Sequence, residues 1–125
     1  MCRLMAYSSK TPVNLPEFMG QGFSDFLKLS EVHNDSWGLA LANPDSATVI
    51  KEVASAASSA RFNGVISNQS APGALLHFRW ASPGLGVTHE NAHPFSFEDI
   101  AFIHNGALSP YEAVRSLIAT EFESL

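Results

Sequence analysis

Residues 74–81 alternate in a way that a strand with one buried face satisfies. Ala74, Leu76, Phe78 and Trp80 fall on one side, and Leu75, His77, Arg79 and Ala81 on the other, because successive side chains of a strand point to opposite faces. The first set predicts a core face. The second, with an imidazole and a guanidinium, predicts a face that carries chemistry.

Weaker signals place other elements around this strand. Residues 2–7 predict a short buried strand, and Lys10 to Pro16 a turn-rich connection. Phe26, Leu27 and Leu29 predict a partly buried helix over 24–32, ended by His33-Asn34-Asp35-Ser36. Trp37 to Ala42 reads as a strand followed by an Asn43-Pro44-Asp45 turn. Val49, Val53, Ala56 and Ala60 recur at helical spacing, and Asn63-Gly64 supplies a stop, so a helix is predicted over 49–62. Ile100 to His104 reads as a strand ending in Asn105-Gly106. Beyond it, Ser109-Pro110-Tyr111-Glu112 combines a capping box with proline at the first helical position. A helix with the apolar stripe Tyr111, Val114 and Ile118 is expected from there to Leu125. Nothing in the sequence answers that stripe, so residues 1–125 read as the N-terminal part of a domain truncated at its C-terminus.

Bulk properties exclude several function classes. A chain of 125 residues, 46% of them hydrophobic, closes one core at most, single domains running to about 100–200 residues. A net charge of −5 with scattered Lys and Arg leaves no basic stripe for phosphates, so a small-molecule substrate is expected and nucleic acid is not. Neither a secretory h-region nor an apolar run near the roughly 20 residues needed to span a bilayer is present; no membrane partner and a cytoplasmic location are expected. The single cysteine excludes an internal disulfide and suits a reducing compartment.

Four constellations could do chemistry. Cys2 would gain a free α-amine if Met1 were removed. An amine of pKa about 7.7–8.0 beside a thiol of about 8.5 can serve as the base that makes thiolate, directly or through water; the alternative is a small buried hydrophobe. Arg79 has the planar fork to hold a carboxylate bidentately, or to pair with one of the chain's own acids. His104-Asn105-Gly106 offers a side-chain amide and an unhindered backbone N–H that could form an oxyanion hole, or merely a turn. His89-Glu90-Asn91-Ala92-His93 spells the H-E-x-x-H pattern of zinc peptidases, but Pro94 biases His93 away from the helix that pattern needs. The lone Gly84-x-Gly86 is too short for a phosphate loop. His33, His77 and His104 read as hydrogen-bonded structural residues, and Trp37 and Trp80 as core or pocket wall. Asp35 reads as an orienter of active-site backbone or as local turn chemistry.

Taken in order, Met1-Cys2-Arg3-Leu4, His33-Asn34-Asp35-Ser36-Trp37-Gly38, His77-Phe78-Arg79-Trp80-Ala81-Ser82, Glu90-Asn91-Ala92-His93-Pro94-Phe95 and Ile103-His104-Asn105-Gly106 resemble the class II glutamine amidotransferases. The resemblance is strongest to their stand-alone branch, which includes the γ-glutamyl amide hydrolases of ergothioneine biosynthesis and glutathione breakdown. It implies an α+β fold, a four-layer αββα sandwich of antiparallel sheets of the N-terminal-nucleophile hydrolase type, here incomplete. It also implies Cys2 as nucleophile with its own amine as base, Asn105 and Gly106 as oxyanion hole, and Arg79 on the substrate carboxylate. Trp80, Ser82 and His104, from the same motifs, join the substrate site. The implied reaction is hydrolysis of glutamine or a γ-glutamyl amide through a thioester, without metal or organic cofactor, with a partner synthase chain or a homo-oligomer as the expected assembly.

Two departures stand out. Ser36 occupies a position where relatives usually have Gly. The family's acidic grip on the substrate α-amino group is an Asp beyond Asn105-Gly106, and after Asp99 this chain has only Glu112, Glu121 and Glu123. The rival functions are a non-catalytic binding or assembly relic of the same fold, and zinc hydrolysis through His89 and His93.

Overall fold

The computed structural model describes residues 1–106, 110–115 and 117–118. Four antiparallel strands form the main sheet in the order β1-β4-β2-β3: β1 is Arg3–Val13, β2 Ser36–Asn43, β3 Ser46–Glu52 and β4 Ala71–Arg79. β4 is central, with Leu76 opposite Met5 of β1 and Leu39 of β2. Pro44 and Asp45 make the two-residue turn between β2 and β3, where Asn43 pairs with Ser46.

One face of this sheet is the core. Tyr7, Trp37, Leu39, Leu41, Ala74, Leu76 and Phe78 lie on it and are buried, beneath the helices α1 (Leu15–Met19), α2 (Gln21–Lys28) and α3 (Ala60–Asn68). Phe26 of α2 packs on Phe78 at 5.0 Å between ring centroids, and Phe62 of α3 meets Trp37 edge-on at 5.1 Å. Each such side chain taken from water contributes about 1.5–3 kcal/mol. The helices are also pinned by polar contacts. Asn14 caps α1 by accepting from the Glu17 N–H at 2.8 Å, and Ser59 caps α3 by accepting from the Phe62 N–H at 2.9 Å. The Ser59 hydroxyl donates to Glu52 Oε2, which also accepts from Trp37 Nε1 at 2.9 Å. One carboxylate oxygen thus ties α3 to the sheet.

The opposite face looks toward a two-stranded sheet of β5 (Phe95–Phe97) and β6 (Ile100–Phe102), lying beside β3. A cavity of about 260 Å³ lies between the two sheets, lined among others by Ala40, Ala42, Leu75 and Ala101. The architecture is α+β with antiparallel sheets, as the resemblance implies. Of the four layers expected, the described residues form a helical layer, the four-stranded sheet and the small second sheet.

Several boundaries differ from the sequence reading. The helix expected over 49–62 is overturned: Val49 and Ile50 belong to β3, held there by pairing with Ala40 and Leu39. The following helix, α3, begins at Ala60 and carries Asn63-Gly64 in its interior rather than at its stop. The turn-rich connection over 10–16 is largely strand, since β1 runs to Val13. Trp80 lies beyond the end of β4 and is half exposed, not on the core face. The helix expected over 24–32 starts earlier, at Gln21, and continues as a 3-10 turn over Leu29–Glu31. α4 (Tyr111–Arg115) falls within the expected C-terminal helix; Ser109 and residues 119–125 lie outside the described residues.

Candidate active site

The first turn of chain and the segment after β6 meet, although more than a hundred residues separate them. Cys2 N–H donates to Asn105 Oδ1 at 3.1 Å, and Asn105 Nδ2 donates back to the Cys2 carbonyl at 3.2 Å. This reciprocal pair fixes the backbone of Cys2 without using its side chain. The thiol lies 3.7 Å from the Trp80 carbonyl, so the end of β4 forms the other wall. Arg3 Nη1 steadies the same turn by donating to the carbonyls of Met1 and Cys2 at 3.2 and 3.0 Å.

Asp35 sets the turn that follows β4. Its backbone N–H donates to the Arg79 carbonyl at 3.2 Å, and its Oδ2 accepts from the Ala81 N–H at 2.6 Å. Of its two readings, this geometry matches the orienter of backbone. Trp80, between those two attachment points, stacks edge-on against His33 at 5.3 Å. Ser82 is exposed, and its carbonyl accepts from the Leu85 N–H.

Arg79 is 6% exposed, on the face away from the helices. Its Nη1 donates to the Gly86 carbonyl at 3.0 Å, and no carboxylate lies within ion-pair distance among the described residues. The own-acid reading of Arg79 therefore has no partner there. A buried guanidinium without an anion is costly.

Residues 86–94 fold over that face. Asn91 Nδ2 shares the Gly86 carbonyl at 3.3 Å, and Lys51 Nζ donates to the Ala92 carbonyl at 2.8 Å. The segment touches the sheet at Gly38: a Cβ built there would lie 1.9 Å from the His93 carbonyl oxygen. An isolated glycine inside a strand is the sequence signal for such close approach, and the sequence reading passed over it. His89 and Glu90 sit in turn backbone rather than on a helix, and His93 turns onto His77 instead of toward His89. The H-E-x-x-H spacing lacks the helical geometry that zinc peptidase chemistry needs.

Three imidazoles lie beneath the site. His77 Nε2 is 2.9 Å from His93 Nδ1 and 3.2 Å from the His104 carbonyl; the His93 and His104 rings are 6.2 Å apart between centroids. The His104 ring folds toward Gly106, where a Cβ would come within 2.9 Å of His104 Nε2. Burial first, then the neighbouring His93 and the charges of Arg79 and His104, push the His77 pKa down to about 4. Burial and the charges of His104, Arg79 and Lys51 bring His93 to about 4 as well.

Both histidines are thus neutral in the folded protein at pH 5–8 and would take up protons near 6.5 once unfolded. Between pH 6.5 and 4 the unfolded chain binds more protons than the folded one, so stability falls as pH falls. Chemical unfolding at pH 7.5 and 5 should show this loss, reaching at most about 3 kcal/mol for His77 by pH 4, and His77→Gln should flatten it. An unchanged slope in that variant would remove His77 as its source.

Similarity to known proteins can be set against this geometry. A family model described as "Glutamine amidotransferases class-II" matches residues 1–123. A glutamine--fructose-6-phosphate aminotransferase [isomerizing] of Staphylococcus aureus is 32% identical over 123 residues, covering 92% of this chain and 18% of that protein. The protein named probable glutamine amidotransferase DUG3 of Saccharomyces cerevisiae is 21% identical over 132 residues, covering 92% and 37%. A glutamine--fructose-6-phosphate aminotransferase of Thermus thermophilus is 39% identical over 79 residues, covering 62% and 13%. The chain therefore spans well under half the length of each of these relatives. None of its described helices is long and apolar enough to cross a membrane.

Proposed function

Because the chain belongs to the class II glutamine amidotransferases, we propose that it releases ammonia from glutamine, or an amine from a γ-glutamyl amide, with Cys2 as the nucleophile. Met1 is 85% exposed and open to removal, after which the nitrogen now paired with Asn105 Oδ1 becomes the α-amine of Cys2. That amine, neutral in part near pH 7, takes the thiol proton. The thiolate attacks the amide carbon. The carbonyl electron pair moves onto oxygen, and the Gly106 N–H together with the second N–H of Asn105 Nδ2 stabilises the oxyanion, each such donor being worth about 3–4 kcal/mol. Collapse breaks the C–N bond as the α-ammonium protonates the leaving nitrogen, giving a γ-glutamyl thioester. Water, activated by the same amine, then releases glutamate.

In this reading Arg79 holds the substrate α-carboxylate, with Trp80, Ser82 and His104 lining the space around it. The ammonia passes to an acceptor on another segment or a partner chain. A thiol nucleophile favours a reducing compartment, so we place the protein in the cytoplasm. No step calls on a metal or an organic cofactor.

The observation that carries this reading is the Cys2–Asn105 pair set beside the end of β4, the strand whose last residue, the buried Arg79, has no carboxylate partner among the described residues. The test is glutamate release from glutamine with Arg79→Lys beside the wild type. Lysine keeps the charge and loses the fork. KM for glutamine should rise about 30–100-fold, the loss of one charge-assisted contact, with kcat within about tenfold. An unchanged KM would take Arg79 out of the substrate site, and no release by either protein would favour the non-catalytic relic.

A further inference from the structure

We infer that His77 is a positioning residue: through its Nε2–H it holds the backbone of His104, and thereby the Asn105 amide that fixes Cys2. The inference rests on the proposed role of Cys2 and adds a residue that the mechanism does not use.

A carbonyl oxygen only accepts, so the 3.2 Å contact between His77 Nε2 and the His104 carbonyl requires the proton on Nε2. His93 Nδ1, 2.9 Å from the same atom, then presents its lone pair, and the His93 proton sits on Nε2. This tautomer also explains the far side of the His77 ring. Among the described residues His77 Nδ1 is buried without a partner, and a bare lone pair there is less costly than a stranded N–H. The ring is 0% exposed near the end of the central strand, so it touches no substrate.

Its place in the fold gives it a lever. Residues 103–106 lie beyond the end of β6 and outside the strand pairings of either sheet. Their described attachments to the main sheet and its N-terminus are the His77–His104 contact and the Asn105 bonds to Cys2, and His93, itself braced on His77, also hydrogen-bonds to the His104 backbone. Losing His77 removes one hold on the carbonyl of residue 104 and the brace of the other, His93, so that the carbonyl drifts and carries the neighbouring Asn105 with it. Misplacement by about 1 Å can cost about a hundredfold in rate.

The test uses three replacements. The terminal nitrogen of glutamine can reach the position of histidine Nε2, that of asparagine only the position of Nδ1, and leucine fills the volume with no donor. Two readouts are followed: the rate at which a diazo-ketone analogue of glutamine captures Cys2, and the ¹H–¹⁵N signals of the Asn105 side-chain amide. His77→Gln should keep the capture rate within about threefold and leave the Asn105 signals in place. His77→Leu and His77→Asn should lose at least about tenfold and shift those signals, although leucine, which removes the stranded Nδ1, keeps or raises the melting temperature. A merely structural role would instead make rate and melting temperature fall together.

Wild-type capture by His77→Leu, or equal behaviour of the glutamine and asparagine variants, would overturn the inference. Should the wild type itself resist capture, the role of Cys2 fails. The Asn105 signals still decide the role of His77, and their persistence in His77→Leu refutes it.

Discussion

Replacement of Cys2 by alanine is expected to lower glutamate release by about a thousandfold or more while leaving the melting temperature within about 2 °C. The fold should tolerate the change, because what anchors this residue is its backbone: N–H and C=O both bond to Asn105. Among the described residues the side chain makes one weak hydrogen bond, to the Trp80 carbonyl at 3.7 Å, and a thiol is a poor donor. Cys2→Ser keeps a donor to that carbonyl but is a far weaker nucleophile near neutral pH, so it should be almost as inactive. Undiminished turnover in the alanine variant would reject the thiol as nucleophile. A large fall in melting temperature would assign it a packing role instead.

The largest structural effect is expected at Gly38. A methyl group there would sit 1.9 Å from the His93 carbonyl oxygen, 2.7 Å from Pro94 Cδ and 2.9 Å from the His93 carbonyl carbon. These are backbone and ring atoms, not the free end of a flexible side chain, and the Lys51 bond to the Ala92 carbonyl and the contact of His93 with His77 hold them down. Overpacking against yielding side chains costs about 1–3 kcal/mol; here Gly38→Ala should cost about 3 kcal/mol or more and lower the melting temperature by about 10 °C or more. The segment that closes over Arg79 should lift with it, so capture of Cys2 by the diazo-ketone analogue should fall too. Gly64 is the control. It lies inside α3 with nothing within 4 Å of its Cβ position, and Gly64→Ala should be neutral or stabilising by up to about 1 kcal/mol. Equal effects at both glycines would mean that 91–94 does not rest on Gly38.

These two positions mark what local sequence carries and what it does not. The alternation over 74–81 revealed β4 because a central strand with a helix-covered face leaves its period in the sequence. Trp80 was misplaced because the same alternation says nothing about where the strand stops. β3 was hidden for the opposite reason: Val49, Val53, Ala56 and Ala60 happen to fall at helical spacing, whereas what decides the conformation of Thr48, Val49 and Ile50 is their pairing with β2 across a two-residue turn. The outer part of β1, Lys10 to Val13, read as part of a connection because an edge strand can be exposed and need not show an apolar face.

At the site, residue types were legible and relations were not. A cysteine, an arginine and an Asn-Gly pair could be nominated from their chemistry. That Asn105 closes on the backbone of Cys2, and that His77 bridges His93 and residue 104, depends on contacts spanning 16 to 103 positions, which no window of sequence contains. Asp35 lay between two readings until its bonds to residues 79 and 81 were visible.

The central claim is that one terminal residue supplies both a free amine and a reactive sulfur. Intact-mass measurement of the purified protein, before and after treatment with the diazo-ketone analogue of glutamine, addresses it directly. The account predicts a chain lacking Met1 that gains a single adduct, mapped by peptide fragmentation to Cys2 and suppressed by excess glutamine. A chain that retains Met1, or that remains unmodified under conditions where an accessible thiol would react, contradicts it.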